Sequence, residues 1–150
     1  MSLTIDGEER IEAPILKVWE ALNDPQVLKD CIPGCQSLER TGDNQLAASV
    51  VLKMGPIKAK FAGEVELKTL HPPHGYTIEG EGKGGIAGFA KGGADVTLSE
   101  ESPTVTLLRY EARSDVGGKI AQLGSRLITS TSKKLAGQFF KSLNQKVSAG

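Results

Sequence analysis

The sequence is poor in the features that usually announce a chemistry. Positive and negative residues balance, 18 Lys and Arg against 18 Asp and Glu. There is no basic excess for gripping phosphate backbones, so nucleic acid is not expected as a partner. Two cysteines, Cys31 and Cys35, are too few for a secreted disulfide framework. Two histidines, His71 and His74, share one proline-rich stretch, which leaves histidine acid–base catalysis few options and shows no Ser-His-Asp pattern. No uncharged apolar run approaches the ~20 residues of a membrane span. The first nine residues lack the basic and apolar regions of a signal peptide. The expected compartment is therefore a reducing cytoplasm.

Glycine is what the sequence has in excess, 18 of 150 residues, against a usual share of about 7%. A chain of this length is one domain's worth and can bury roughly two-thirds of its unfolded surface without a staple. We expect a single domain over residues 1–150. Leu3, Ile5, Gly7, Glu9 and Ile11 alternate with Thr4, Asp6, Glu8 and Arg10, as in a half-buried strand. Pro14 suits a helix start, and Ile15, Val18, Trp19 and Leu22 follow at helical spacing. Asp24-Pro25 opens a second short helix, with Asp24 as its N-cap.

The middle of the chain is strand after strand. Alternation runs through Leu46–Met54, Ile57–Lys68, Tyr76–Gly82, Ala94–Leu98 and Val105–Ala112, with Leu108, Tyr110 and Ala112 on the inward side. After Gly117-Gly118 the period changes. Ile120, Leu123, Leu127, Ile128, Thr131, Leu135, Phe139 and Leu143 mark one long amphipathic helix over about residues 119–144. The order predicts an α+β fold: a curled antiparallel sheet of six to seven strands closed by a long C-terminal helix, with two short helices after strand 1. The inward glycines Gly63, Gly80, Gly82 and Gly92 bring no side chains to the interior. This leaves open a true cavity or merely permitted bends.

Apparent motifs weigh little. Gly80-Glu81-Gly82-Lys83-Gly84-Gly85 matches G-x-G-x-x-G, but a loop and a strand follow instead of the helix that would hold a pyrophosphate. The Cys31/Cys35 and His71/His74 spacings are poor for zinc, and no metal site is expected. Arg109, Glu111, Arg113 and Asp115 fall on the wet face. Asp115 reads as a capping charge for the long helix, and Lys133, Lys134 and Lys141 as solvated helix charges that can also touch an anionic lipid surface.

Several phrases carry a family resemblance. They are Cys31-Ile32-Pro33-Gly34-Cys35, Met54-Gly55-Pro56-Ile57-Lys58-Ala59-Lys60-Phe61, Gly88-Phe89-Ala90-Lys91-Gly92 and Val116-Gly117-Gly118-Lys119-Ile120-Ala121-Gln122-Leu123-Gly124-Ser125-Arg126. Together with Asp24-Pro25 and the glycine run at 80–85, they resemble the CoxG family of carbon monoxide dehydrogenase, which belongs to the START-like (SRPBCC, Bet v 1-like) helix-grip superfamily. The resemblance implies a cavity for an apolar ligand and no covalently bound cofactor. The expected partner is an aerobic CO dehydrogenase or related molybdenum hydroxylase, served by maturation, membrane recruitment or quinone delivery. The chain lacks the iron–sulfur cysteines and the flavin or molybdopterin motifs of the dehydrogenase itself. Some members carry a C-terminal apolar anchor. The sequence up to Gly150 shows none, so only a transient, peripheral visit to the inner membrane is expected.

The reading that follows is a non-enzymatic binder of an isoprenoid quinone or lipid. Its expected cavity wall is Phe61, Tyr110, Leu123, Leu127, Ile128 and Thr131. Its expected mouth is Ile32, Ile86 and Phe89, and Tyr110 or Arg126 would donate a hydrogen bond to a quinone oxygen. Two rivals stand beside it: a cyclase- or hydrolase-like enzyme of the same superfamily, and a docking module with no ligand.

Overall fold

A computed structural model describes residues 1–148. Strand β1 (Ser2–Ile11) keeps the expected alternation, with Ile11 buried at its end. Helix α1 (Ile15–Leu22) starts directly after Pro14. Helix α2 (Pro25–Cys31) is capped by Asp24, whose carboxylate accepts a hydrogen bond from the Gln26 N–H at 2.9 Å. Six strands follow: β2 (Cys35–Gly42), β3 (Gln45–Met54), β4 (Ile57–His71), β5 (Gly75–Lys83), β6 (Phe89–Ser102) and β7 (Val105–Gly117). Helix α3 (Ser125–Ser148) ends the described chain.

The seven strands form one sheet in the order β1-β7-β6-β5-β4-β3-β2, antiparallel at every step. The first strand closes against the last, and all other neighbours are hairpin partners. The curved sheet wraps α3, which is tied to both flanks. On the β1 side, the Glu12 N–H donates to Asn144 Oδ1 at 2.9 Å, and the rings of Tyr110 and Phe140 stack at 5.0 Å. On the other side Lys146 pairs with Asp30 of α2.

Three sequence expectations change. A further strand, β2, appears where no alternation was visible. It is an edge strand whose pattern is mostly exposed, with Leu38 its half-buried apolar residue. The long helix begins at Ser125, not near 119. Residues Lys119–Leu123 form a three-ten turn bounded by Gly118 and Gly124, both at positive φ. Asp115 therefore lies at the end of β7, where the Ser2 hydroxyl donates to it, and caps no helix. The G-x-G-x-x-G run lies along β5 and enters a three-residue three-ten turn, Gly85–Ala87, before β6.

The packed core occupies the half of the sheet beneath α1 and the C-terminal half of α3. Ile11, Val18, Leu98, Leu108 and Leu143 are at most 1% exposed there. Trp19 and Tyr76 meet edge-on at 5.5 Å. Thr106, fully buried, donates from Oγ1 to the Ala13 carbonyl at 2.8 Å and so fixes the chain between β1 and α1.

Candidate ligand-binding cavity

The other half of the sheet is hollow. A cavity of about 680 Å³ lies between the sheet and α3. Its origin is a band of missing side chains. On the inward face Ala48 stands beside Gly63, Gly63 beside Gly82, and Gly82 beside Ala90. One step along, Val65 pairs with Gly80, Gly80 with Gly92, and Gly92 with Ser114. All of these but Val65 and Ser114 are glycine or alanine, so the sheet floor offers backbone where side chains would otherwise fill the space. Among the floor glycines Gly82 is the most open. A Cβ there would meet nothing nearer than the Ala62 carbonyl oxygen at 3.8 Å and the Phe61 Cβ at 3.9 Å.

Around this floor the wall is hydrocarbon: Val50, Leu52, Met54, Ile78 and Val96 from the sheet, and Leu135, Phe139 and Phe140 from α3. Ser114, Ser132, Tyr76 and Tyr110 are its inward residues that carry a hydroxyl. Glu81, Lys91 and Arg113 border the space from positions whose alternation puts their side chains on the outer face. Arg113 is engaged there with Asp95 at 3.3 Å. The two tyrosines of the lining are not paired with a base. Burial pushes the Tyr76 hydroxyl well above the ordinary tyrosine range, and it donates to the Leu22 carbonyl at 3.4 Å. Desolvation, then the nearby carboxylates of Glu9 and Asp6, raise Tyr110. Its ring and hydroxyl lie over Gly7 of the edge strand β1. Such a space can exclude water and hold apolar surface; it presents no acid–base pair.

The cavity has an open flank. Strand β2 pairs only with Gln45–Val50 of β3, and Gly34 accepts from the Val51 N–H at 2.9 Å. Residues Leu52–Met54 therefore form a free edge facing α3. The facing helix row runs from Leu127, which reaches the Gly55 turn, to Lys146, which meets α2. Along that flank the inward residues Ile32, Pro33, Leu38, Leu52 and Leu135 are only half-buried.

Of the residues expected around a ligand, Ile32, Phe61, Tyr110 and Ile128 line the cavity. The others do not. Leu123 and Leu127 reach toward Gly55, where a Cβ would lie 3.9 and 3.0 Å from their Cδ2 atoms, and so cover the β3–β4 turn. Thr131 is half-buried on the same helix row, outside the lining. Arg126 is exposed in the first turn of α3. Ile86 and Phe89 stand in solvent at 85% and 49% exposure. The three-ten turn sends Ala87 inward instead, against Val116, Ile120 and Ile128. Sequence periodicity did not reveal the β3 wall or the inward row of α3 (Ser132, Leu135, Ala136 and Phe139) as lining. The alternation from Leu46 to Met54 was the available signal for the first. Among the described residues no group of three or more His, Cys, Asp or Glu converges on a metal-sized site. No helix of the described chain is long and apolar enough to cross a membrane.

Comparison with solved structures identifies the architecture. A conserved protein from Geobacillus kaustophilus superposes with a TM-score of 0.93 at 30% identity, covering 98% of this chain and 96% of that one. A START superfamily protein from Mycobacterium smegmatis gives 0.72 at 14% identity, over 96% of each chain. The ZhuI aromatase/cyclase from Streptomyces sp. R1128 gives 0.72 at 10% identity, over 98% of this chain and 94% of that one. The fold is thus the START-like helix-grip fold, as the sequence implied. No curated protein matches the sequence. The model of the carbon monoxide dehydrogenase CoxG family matches residues 7–148, and the chain belongs to that family.

Proposed function

We propose that this protein is a non-enzymatic carrier of an apolar ligand, an isoprenoid quinone or a lipid, that serves an aerobic CO dehydrogenase or a related molybdenum hydroxylase. Maturation, membrane recruitment and quinone delivery are the services that fit. The observation that carries the reading is the hydrocarbon cavity of about 680 Å³ over the glycine floor. Its volume falls within the roughly 300–1,000 Å³ of small-molecule sites. Burying an isoprenoid tail there gains about 25 cal/mol per Å² of apolar surface. The family supplies the partner class, since it is named for CO dehydrogenase. An enzyme of the cyclase kind needs titratable groups aimed at the substrate, and the inward lining supplies two tyrosines and two serines.

The test is denaturing solvent extraction of protein purified from a quinone-producing bacterial host, with mass spectrometry of the extract. A stoichiometric prenylated quinone or lipid is expected. An empty extract, together with no uptake of menaquinone or ubiquinone offered in vitro, overturns the carrier reading in favour of a docking module.

A further inference from the structure

Helix α3 and strand β7 face each other along the cavity, and two contacts fix their relative level. At one end Ile128 and Val116 belong to the same buried cluster. At the other the Phe140 and Tyr110 rings stack at 5.0 Å. Between these points the helix presents Ile128, Ser132, Ala136 and Phe140 to the cavity, four residues apart, and the strand presents Val116, Ser114, Ala112 and Tyr110, two apart. The two rows match in length. From 128 to 140 the helix rises about 18 Å, and from 116 to 110 the strand spans about 20 Å. Ser132 therefore stands at the level of Ser114, on the opposite wall.

These serines hold the hydroxyls that the fold leaves unused. Tyr76 donates to the Leu22 carbonyl, and the Tyr110 hydroxyl lies over Gly7 of β1. Ser130, on the outer side of α3, donates to the Leu127 carbonyl at 3.1 Å, whereas neither Ser114 nor Ser132 makes a side-chain hydrogen bond among the described residues. Among those residues the one fully enclosed side-chain oxygen without a partner is Ser49 Oγ, so the Ser114 and Ser132 oxygens are reachable from the cavity. The floor beside Ser114 is bare backbone. Its neighbour on β6 is Gly92, and Gly92 stands beside Gly80 of β5. Gly92 has no room for a side chain, since a Cβ there would lie 2.1 Å from the Arg113 carbonyl oxygen. A flat group can thus lie against the strands, with one hydroxyl beside it and the other above.

We propose that Ser114 and Ser132 clamp the oxygen-bearing ring of the cavity's ligand, orienting it and selecting an apolar molecule with a carbonyl or hydroxyl over a pure hydrocarbon. The inference rests on the carrier reading. The match is an uncharged oxygen, because the inward lining brings no charged side chain to this level. A serine hydroxyl both donates and accepts. The clamp therefore takes a quinone through its carbonyls and the corresponding quinol through its hydroxyls. A hydrocarbon filling the same space strips water from both serines and returns no hydrogen bond, which is the source of the selection. The tail of an oriented ligand is left the hydrocarbon of Val50, Leu52 and Leu135 toward the free flank.

The test compares menadione, a naphthoquinone ring, with methylnaphthalene, the same ring without its carbonyls, as ligands of the full chain in equilibrium dialysis. Ser114→Ala and Ser132→Ala should each weaken menadione about fivefold, and the double variant about twentyfold, with methylnaphthalene bound no more weakly than by the wild type. Ser130→Ala should change neither. The infrared carbonyl stretch of bound menadione should be lowered in the wild type and return toward its value in hydrocarbon solvent in the double variant, a shift that altered packing alone does not produce. Alanine is the smaller residue and the better helix former, so circular dichroism should show every variant folded. Equal menadione affinity in the wild type and the double variant, or equal losses for the two rings, overturns the clamp and leaves the apolar carrier standing. Failure of the wild type to bind either ring also overturns the clamp, and failure to take up menaquinone as well overturns the carrier reading with it.

Discussion

One sheet and one helix produce two different interiors. In the half below α1, the inward positions carry Ile11 and Leu98, and α3 supplies Leu143 and Val147. Every one of these is at most 9% exposed. In the other half the inward positions of β4, β5 and β6 are Gly63, Gly80, Gly82, Gly92 and Ala94, and α3 presents Ser132 and Ala136. Side-chain volume is what separates the halves. Where the inward residues shrink to glycine and alanine, space remains beneath the helix. The packed half holds the fold, which frees the hollow half to hold something else.

Mutation should expose that division. The largest loss is expected in the packed half: Leu143→Ala should cost about 2–5 kcal/mol in urea unfolding, whereas Leu52→Ala on the free edge of β3 should cost roughly 1 kcal/mol. Equal costs would erase the distinction between the halves. Next comes Thr106→Val, which keeps the shape but strands the buried Ala13 carbonyl; a loss of about 1–3 kcal/mol is expected by the same measurement. The packed half should also be the alkali-sensitive one. The Tyr76 hydroxyl is held above its ordinary value by burial. Its stabilisation is full below the unfolded tyrosine value of about 10 and is lost as pH rises beyond it. Tyr76→Phe should flatten stability against pH in that alkaline range, and an unchanged slope would place the sensitivity elsewhere.

The smallest effect concerns the clasp between α2 and α3. The hydrogen bond from Lys146, ahead of its charge, lowers the Asp30 carboxyl, and the same bond raises Lys146. The carboxylate's contribution is present above the unfolded Asp value of about 3.9 and disappears as pH falls through the lower folded value. The ammonium's contribution is lost only as pH rises through the raised lysine value. Asp30→Asn should speed hydrogen exchange in α2 at neutral pH with little change in global stability. Unaltered exchange would mean that the clasp is idle.

How much of this was legible follows from where the sequence carries a period. From Ile57 to Leu67 the alternation is unbroken, and the inward parity it assigns to Gly63, and by extension to Gly80, Gly82 and Gly92, matches the cavity floor. Strand β2 was invisible because an edge strand with solvent on most of its length has no apolar period to show. The helix starts later than its spacing suggests because Ile120 and Leu123 continue the i+3/i+4 pattern through a three-ten turn, and Gly124 gives no sign of the break on its own. The stripe does not fix the phase of α3 against the sheet. An amphipathic stripe says which residues are covered but not by what; here Leu123 and Leu127 cover a turn while Leu135 and Phe139 face the cavity. In the glycine-rich loop size misled: Ile86 is the larger residue, yet the turn buries Ala87.

The most direct test of the hollow half is to fill it. Gly82→Leu places a side chain over the cavity floor, where a Cβ meets only ordinary contacts at 3.8 and 3.9 Å. Binding of menaquinone by the wild type and by this variant, measured by fluorescence quenching of Trp19 or by extraction and mass spectrometry, gives the comparison. One equivalent bound by the wild type and none by Gly82→Leu, with unfolding stability within about 1 kcal/mol, is the predicted result. Equal binding by the two proteins would contradict the claim that this cavity is where the ligand sits.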